Sequence, residues 1–229
     1  MKKTIKISFL KSLPVLAGYL VLGISFGILL KRAGYGLFWS FLMGLTIYAG
    51  SMQFVAVSLL TEGASLVTAA LTTLLVNARH LFYGLSMIEK YEDAGTKKPY
   101  LIFALTDETY SLLCGKELPD GVHRHWYYFF VSALNHCYWM TGCILGSLLG
   151  TLLDFDTAGI EFSMTALFVT VFVEQWLTAE NHVPAILGLV CSMLCLGIFG
   201  ADSFLIPTML LMTVMLLWIR KKIGEKARE

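Results

Sequence analysis

The chain has 229 residues, 57% of them apolar and 14% charged, with a mean hydropathy of +0.71. That charged share lies far below the roughly 25% of soluble domains. At about 20 residues per membrane span, the length holds six to eight spans and excludes a soluble domain of ordinary size. The formal net charge is only +1, so no nucleic-acid partner is expected and the charges act by position.

Lys2, Lys3, Lys6 and Lys11 precede an apolar stretch, 13–30, that ends at Lys31 and Arg32. No small-residue cleavage site follows it, so it is expected as a retained first span and not as a signal peptide. Residues 33–61 are also uncharged, yet Gly50, Ser51 and Gln53 fall at membrane depth, where an unpaired polar group costs several kcal/mol. A break in the helix is expected there. Glu62 and Gly63 mark a turn, and 64–88 forms a third span interrupted by Asn77, Arg79 and His80.

The segment 89–99 is polar, and Pro99 suits the start of the next element. That element, 100–114, contains Asp107 and Glu108 and is too short to span comfortably at about 1.5 Å per residue. A half helix, a re-entrant segment or a strongly tilted span is expected. Residues 126–153 form a full uncharged span, 161–179 carries Glu174, and 183–200 and 203–219 complete the series. The fold class is an all-α polytopic membrane helix bundle of about seven or eight spans, some broken or re-entrant, in a single domain over 1–229. Basic residues in both tails place both termini in the cytoplasm, which requires an even number of crossings. Lys90, Lys97 and Lys98 then lie outside, against the same rule.

The five cysteines, Cys114, Cys137, Cys143, Cys191 and Cys195, show no CxxC or metal-type spacing and are expected to be reduced packing residues. Gly23 and Gly27, and Gly142, Gly146 and Gly150, repeat a spacing of four that lets helices approach closely. The recurrence is also compatible with an internal repeat of the transporter kind.

Arg79 is the most costly residue of the chain, at no less than about 2.5 kcal/mol for an arginine at the centre of a membrane helix. It is expected to face an interior or a wet cavity, the alternative being a helix end from which it snorkels to the headgroups. Asn77 and His80 share a helix face, as do Arg79 and Tyr83, and Ser132 and His136. Thr170, Glu174 and Thr178 form a polar stripe in an otherwise apolar segment. Asp107, Glu108 and Glu174 are candidates either to neutralise Arg79 or to handle protons and a substrate ammonium. His80 and His136 are candidate relays or single helix-to-helix hydrogen bonds. There is no P-loop sequence and no HExxH, no cofactor or metal site is expected, and transport is favoured over catalysis.

The runs Tyr48-Ala49-Gly50-Ser51-Met52-Gln53-Phe54, Asn77-Ala78-Arg79-His80-Leu81-Phe82-Tyr83-Gly84 and Thr106-Asp107-Glu108-Thr109-Tyr110, in that order and spacing, resemble the AzlC family. Those proteins are the large subunits of bacterial branched-chain amino acid exporters. The resemblance runs from about Pro14 to Trp218, and Asp154-Phe155 and Thr165-Ala166-Leu167-Phe168 are similar to the family's later segment. It implies a multi-pass protein of the bacterial inner membrane, a small AzlD-type membrane partner, and export of hydrophobic amino acids without a nucleotide-binding subunit.

A zwitterionic substrate needs donors for its carboxylate, acceptors for its ammonium and an apolar pocket. Gly50, Ser51, Gln53, Asn77 and Arg79 are expected to meet the carboxylate, as the ends of broken helices do in other transporters. His80, Asp107, Glu108, His136 and Glu174 are the candidates for proton coupling, with Asp107 or Glu174 also able to meet the ammonium. Phe54, Phe82, Tyr83 and Trp176 are available for the apolar part. The resulting reading is a proton-coupled secondary exporter. An uncoupled channel, whose polar residues line a pore, and a non-transporting subunit, whose intramembrane charges pair with a partner, remain open.

Overall fold

The computed structural model describes residues 1–114, 118–119, 121–152 and 181–200, scattered positions between 166 and 219, and the backbone alone at Phe82. All regular structure among the described residues is helical. The chain divides into two compact units, Met1–Thr165 and Ala166–Glu229.

The first unit is built on two long helices, α1 (Lys2–Arg32, 31 residues) and α8 (Arg124–Leu152, 29 residues). Each is about 45 Å long at 1.5 Å per residue, which exceeds the roughly 30 Å hydrocarbon core of a bilayer. Among the described residues, α1 is the one helix that is both long and apolar enough to cross alone. It begins well before the expected residue 13. Straight-chain lysines favour helix, and the extension has a buried polar face. Ser8 Oγ donates to Thr4 O at 2.9 Å, the His123 amide donates to Thr4 Oγ1 at 3.3 Å, and Ser12 Oγ lies 3.2 Å from Tyr138 Oη.

Helices α1 and α8 meet along their glycines. A Cβ on Gly23 would stand 3.0 Å from Cys143 N, one on Gly142 2.8 Å from Tyr19 O, and one on Gly150 3.3 Å from Ile28 Cα. The spacing of four thus brings backbone onto backbone, with Phe26, Leu30, Trp139 and Cys143 filling the space on either side.

Between these two helices the chain makes a series of broken ones. Helices α2 (Leu37–Thr46) and α3 (Gly50–Thr61) are separated at 47–49, where the glycine-and-serine run predicts a break. Helices α4 (Leu66–Asn77) and α5 (Arg79–Tyr91) part at Ala78, inside the expected third span. A 3₁₀ turn, Gly95–Lys97, leads into α6 (Lys98–Phe103) and α7 (Asp107–Leu113), two short pieces of six and seven residues that replace the expected 100–114 element. Ser65 caps α4 by accepting from Thr68 N, and Thr106 caps α7 by accepting from Thr109 N.

In the second unit, α9 (Val183–Phe199) buries Cys191 and Cys195 and ends at Gly200, whose φ of 75° only glycine adopts without strain. The expected segments 161–179 and 203–219 lie largely outside the described residues. All five cysteines are free thiols.

Candidate functional site at the meeting of the broken helices

Helix α3 opens its hydrogen-bond ladder with Gln53 N to Ala49 O at 2.8 Å, so the amides of Gly50, Ser51 and Met52 lie ahead of it. The backbone is wrenched into position by Tyr48, at φ 41°, a left-handed conformation that costs a tyrosine about 1 kcal/mol or more. His136 holds the strained residue. Its ring stacks on that of Tyr48 at 4.1 Å, its Nε2 lies 3.2 Å from the Gly44 carbonyl left open by the end of α2, and its Nδ1 lies 3.2 Å from Tyr100 Oη. Both nitrogens of His136 are therefore engaged in tying α8 to α2 and α6.

Gln53 is fully buried, with its Oε1 accepting from Trp139 Nε1 at 2.8 Å and its Nε2 without a hydrogen-bond partner. The Trp139 ring also covers Gly50, where a Cβ would stand 3.1 Å from Cη2. Gly50→Val is accordingly expected to displace Trp139, break its bond to Gln53 and lower the melting temperature of the purified protein, by about 1–3 kcal/mol of overpacking. Gly84→Ala, which meets nothing within 4 Å, should leave it unchanged.

Arg79 is the first residue of α5, and its side chain crosses to both neighbouring breaks. Nη2 donates to Ser51 Oγ at 2.6 Å, and Nη1 stands 3.0 Å from Asp107 Oδ2. Asp107 itself is the first residue of α7. One cation thus links the starts of α3, α5 and α7. Asp107 Oδ1 is buried with no hydrogen-bond partner, as is Asn77 Oδ1 at the end of α4. His80 Nδ1 lies 3.2 Å from Asn77 O across the Ala78 break.

Glu108 turns the other way, accepting from Tyr19 Oη at 2.7 Å, and Tyr19 Oη in turn lies 2.6 Å from Thr106 Oγ1. Beside this arrangement is a largely apolar cavity of about 930 Å³, whose walls include Tyr48, Asn77, His80, Leu81, Phe103 and Leu105. Arg79, Ser51 and Asp107 stand within two positions of residues that line it, without lining it themselves.

Gly50, Ser51, Gln53, Asn77, Arg79, His80, Asp107 and Glu108 all lie at or beside the three breaks. Of the apolar candidates, Phe54 is buried in the core between α1 and α8, and Tyr83 stacks on Tyr110 at 4.6 Å. Trp176 belongs to the second unit, where it packs on His182 at 4.3 Å. Glu174, with Thr170 and Thr178, lies outside the described residues, as does the Phe82 side chain.

Sequence reasoning gave no role to Tyr19, Thr109 and Trp139, all buried here. Single aromatic and hydroxyl residues in apolar runs carry no signal that separates them from packing. Thr106, also passed over, is the N-cap of α7, and the acidic pair Asp107 and Glu108 directly after a threonine is the signal that could have found it. A GxSxG spacing, Gly23-Ile24-Ser25-Phe26-Gly27, carries no hydrolase meaning. It lies within continuous α1, where Ser25 Oγ donates to Val21 O at 3.0 Å, and the motif requires a strand-to-helix turn.

Residues 14–153 match the family described as AzlC protein. The branched-chain amino acid transport protein AzlC of Bacillus subtilis (strain 168) is 42% identical over 220 residues, 96% of this chain and 86% of that protein. A membrane protein of Haemophilus influenzae with no assigned function is 45% identical over 206 residues, 90% of this chain and 84% of that one. The inner membrane protein YgaZ of Escherichia coli (strain K12) is 26% identical over 207 residues, 87% of this chain and 82% of its own length. No solved structure matches. A match over more than half of the chain, together with a relative this similar over nearly its whole length, establishes that the chain belongs to the AzlC family, a family of membrane transport proteins and not of enzymes.

Proposed function

We propose that this chain is the large subunit of a proton-coupled secondary exporter of branched-chain and similar hydrophobic amino acids, working with a small AzlD-type membrane subunit in the bacterial inner membrane, both termini cytoplasmic. The observation that carries the reading is the Arg79 guanidinium, fixed between Ser51 Oγ and Asp107 Oδ2 where three helices begin. An amino acid is a zwitterion, and this arrangement offers complementary groups for both charges. Asp107 Oδ1 is a buried acceptor that makes no hydrogen bond of good geometry, in a carboxylate beside the Tyr83 hydroxyl, and it is the group for an ammonium. The amides ahead of the α3 ladder and the unpartnered Gln53 Nε2 are donors for a carboxylate. The adjoining apolar cavity suits an aliphatic side chain, whose burial contributes about 1.5–3 kcal/mol.

Arg79 already has a carboxylate partner in Asp107, so its direct role is to set the position of Ser51 and of Asp107 Oδ2, leaving Oδ1 to the substrate. Similarity to the Bacillus subtilis protein, named for branched-chain amino acid transport, favours leucine, isoleucine and valine over polar amino acids.

The test is export of preloaded leucine, isoleucine and valine from cells expressing this chain with and without the small membrane subunit. Export should require both chains and should stop when the proton gradient is collapsed. Export that continues with the gradient collapsed would assign the protein to the uncoupled facilitators. Export by this chain alone would remove the partner from the reading.

A further inference from the structure

Asp107 and Glu108 are adjacent in sequence, but only Asp107 meets Arg79. From Glu108 a series of hydroxyls runs into the protein. Tyr19 Oη lies 2.7 Å from Glu108 Oε2 and 2.6 Å from Thr106 Oγ1, and Thr106 Oγ1 donates to Thr109 Oγ1 at 3.0 Å. Thr109 Oγ1 also accepts from Asn135 Nδ2 at 3.1 Å.

Three oxygen-to-oxygen contacts need three protons, and each hydroxyl owns one. When the Thr106 proton serves Thr109, the Tyr19 proton can serve Glu108 or Thr106 but not both. With Glu108 ionised in this arrangement, one of the two short contacts would set lone pair against lone pair. A proton on Glu108 removes the conflict. Glu108 then donates to Tyr19, Tyr19 to Thr106, and Thr106 to Thr109. Loss of that proton is accommodated by reversing the whole series, with Thr109 donating to Thr106, Thr106 to Tyr19, and Tyr19 to the carboxylate.

The reversal has an end point. In the protonated arrangement the Thr109 hydroxyl keeps its own proton for a further acceptor. Facing it is the Tyr48 hydroxyl, which also faces Tyr19, makes no hydrogen bond of good geometry and belongs to a side chain only 3% exposed. Tyr48 is also the left-handed residue of the α2–α3 break and a wall of the cavity. We propose that Glu108 is a proton-operated switch and that the hydroxyls of Tyr19, Thr106 and Thr109 relay its protonation to Tyr48 at the cavity. This rests on the proton-coupled reading above and assigns the coupling group within it. The proton comes from water and forms one O–H bond on the Glu108 carboxyl, with no other covalent change.

The groups that face Glu108 are Tyr19 from α1, Tyr48 from the α2–α3 break, Tyr83 from α5 and Asp107 beside it on α7. Arg79 stands against the charge of Asp107, which makes Glu108 the carboxyl of this group suited to change charge.

The experiment is infrared difference spectroscopy across pH on the full chain, purified in lipid with its co-purifying subunits, following the C=O stretch of protonated carboxyl groups. A signal should be present that Glu108→Gln removes. Tyr48→Phe takes away the acceptor that favours the protonated arrangement, and should lower the titration midpoint by about half to one pH unit, the scale of one hydrogen bond. In a Tyr19→Phe background, where the series is cut, Tyr48→Phe should no longer move it. A signal that survives Glu108→Gln, a midpoint unmoved by Tyr48→Phe, or an equal shift in both backgrounds overturns the proposal. The spectra need no substrate, so an absence of leucine export alongside the expected spectra would count against the transport reading alone.

Discussion

Gly146→Leu should leave almost no folded protein in the membrane. A Cβ at Gly146 would overlap the Ile24 carbonyl and stand 2.7 Å from Ile24 Cα, while one at Gly27 would overlap the Cys143 carbonyl and stand 2.6 Å from Ser147 N. These neighbours are backbone atoms of the facing helix, which cannot rotate away as a side chain does. The two long helices would have to separate along their shared length, and the loss exceeds the usual 1–3 kcal/mol or so of overpacking. Gly18→Ala, on the facing helix α1 with nothing within 4 Å, is the control and should behave as the unaltered chain. Yield of monodisperse protein after detergent extraction, and its melting temperature, read the outcome. A normal yield for Gly146→Leu would mean that α1 and α8 do not pack through their glycines.

Arg79→Ala should abolish leucine export, and Arg79→Lys should not rescue it. The guanidinium contacts Ser51 through Nη2 and Asp107 through Nη1, at 2.6 and 3.0 Å. An ammonium is a single point of charge and cannot hold two partners on separate helices in the same geometry. Losing one such hydrogen bond to a charged group costs the arrangement about 1.5–3 kcal/mol. Alanine goes further and leaves Asp107 in a poorly solvated place without its cation. For a fully buried pair that costs about 3–5 kcal/mol, and less is expected here, where the side chains of Arg79 and Asp107 keep 29% and 17% of their exposure. The double variant Arg79→Ala/Asp107→Asn should therefore regain thermal stability without regaining export. A double variant as unstable as Arg79→Ala alone would show that the ion pair is not what the single change disturbs.

The sequence announced the breaks more clearly than the helices. Gly50, Ser51 and Gln53 at membrane depth, and Arg79 in an apolar run, are costly unless backbone and charge find partners, and the chain breaks at 47–49 and at Ala78. The pairing of Arg79 with Asp107 was legible as one of three candidates, with Glu108 and Glu174, because a buried arginine requires a carboxylate but local spacing cannot choose between segments 28 and 95 residues away. The start of α1 was misplaced because lysines read as a polar tail, whereas the buried Thr4, Ser8 and Ser12 on the same turns carry no hydrophobic signal. The hydroxyl series from Tyr19 to Thr109 could not be read, since it joins residues 87 apart through contacts made only when α1 and α7 pack.

Binding of leucine, and of two analogues each lacking one of its charges, tests the Arg79 site most directly. Calorimetry on the purified protein in lipid would compare leucine, leucinamide and 4-methylpentanoate for the unaltered chain and for Asp107→Asn. The unaltered chain should bind leucine at least about tenfold more tightly than either analogue, a difference of some 1.4 kcal/mol. Asp107→Asn should lose the preference for leucine over 4-methylpentanoate, because the acceptor for the ammonium is gone. Leucine bound by Asp107→Asn as tightly and as selectively as by the unaltered chain would place the substrate elsewhere.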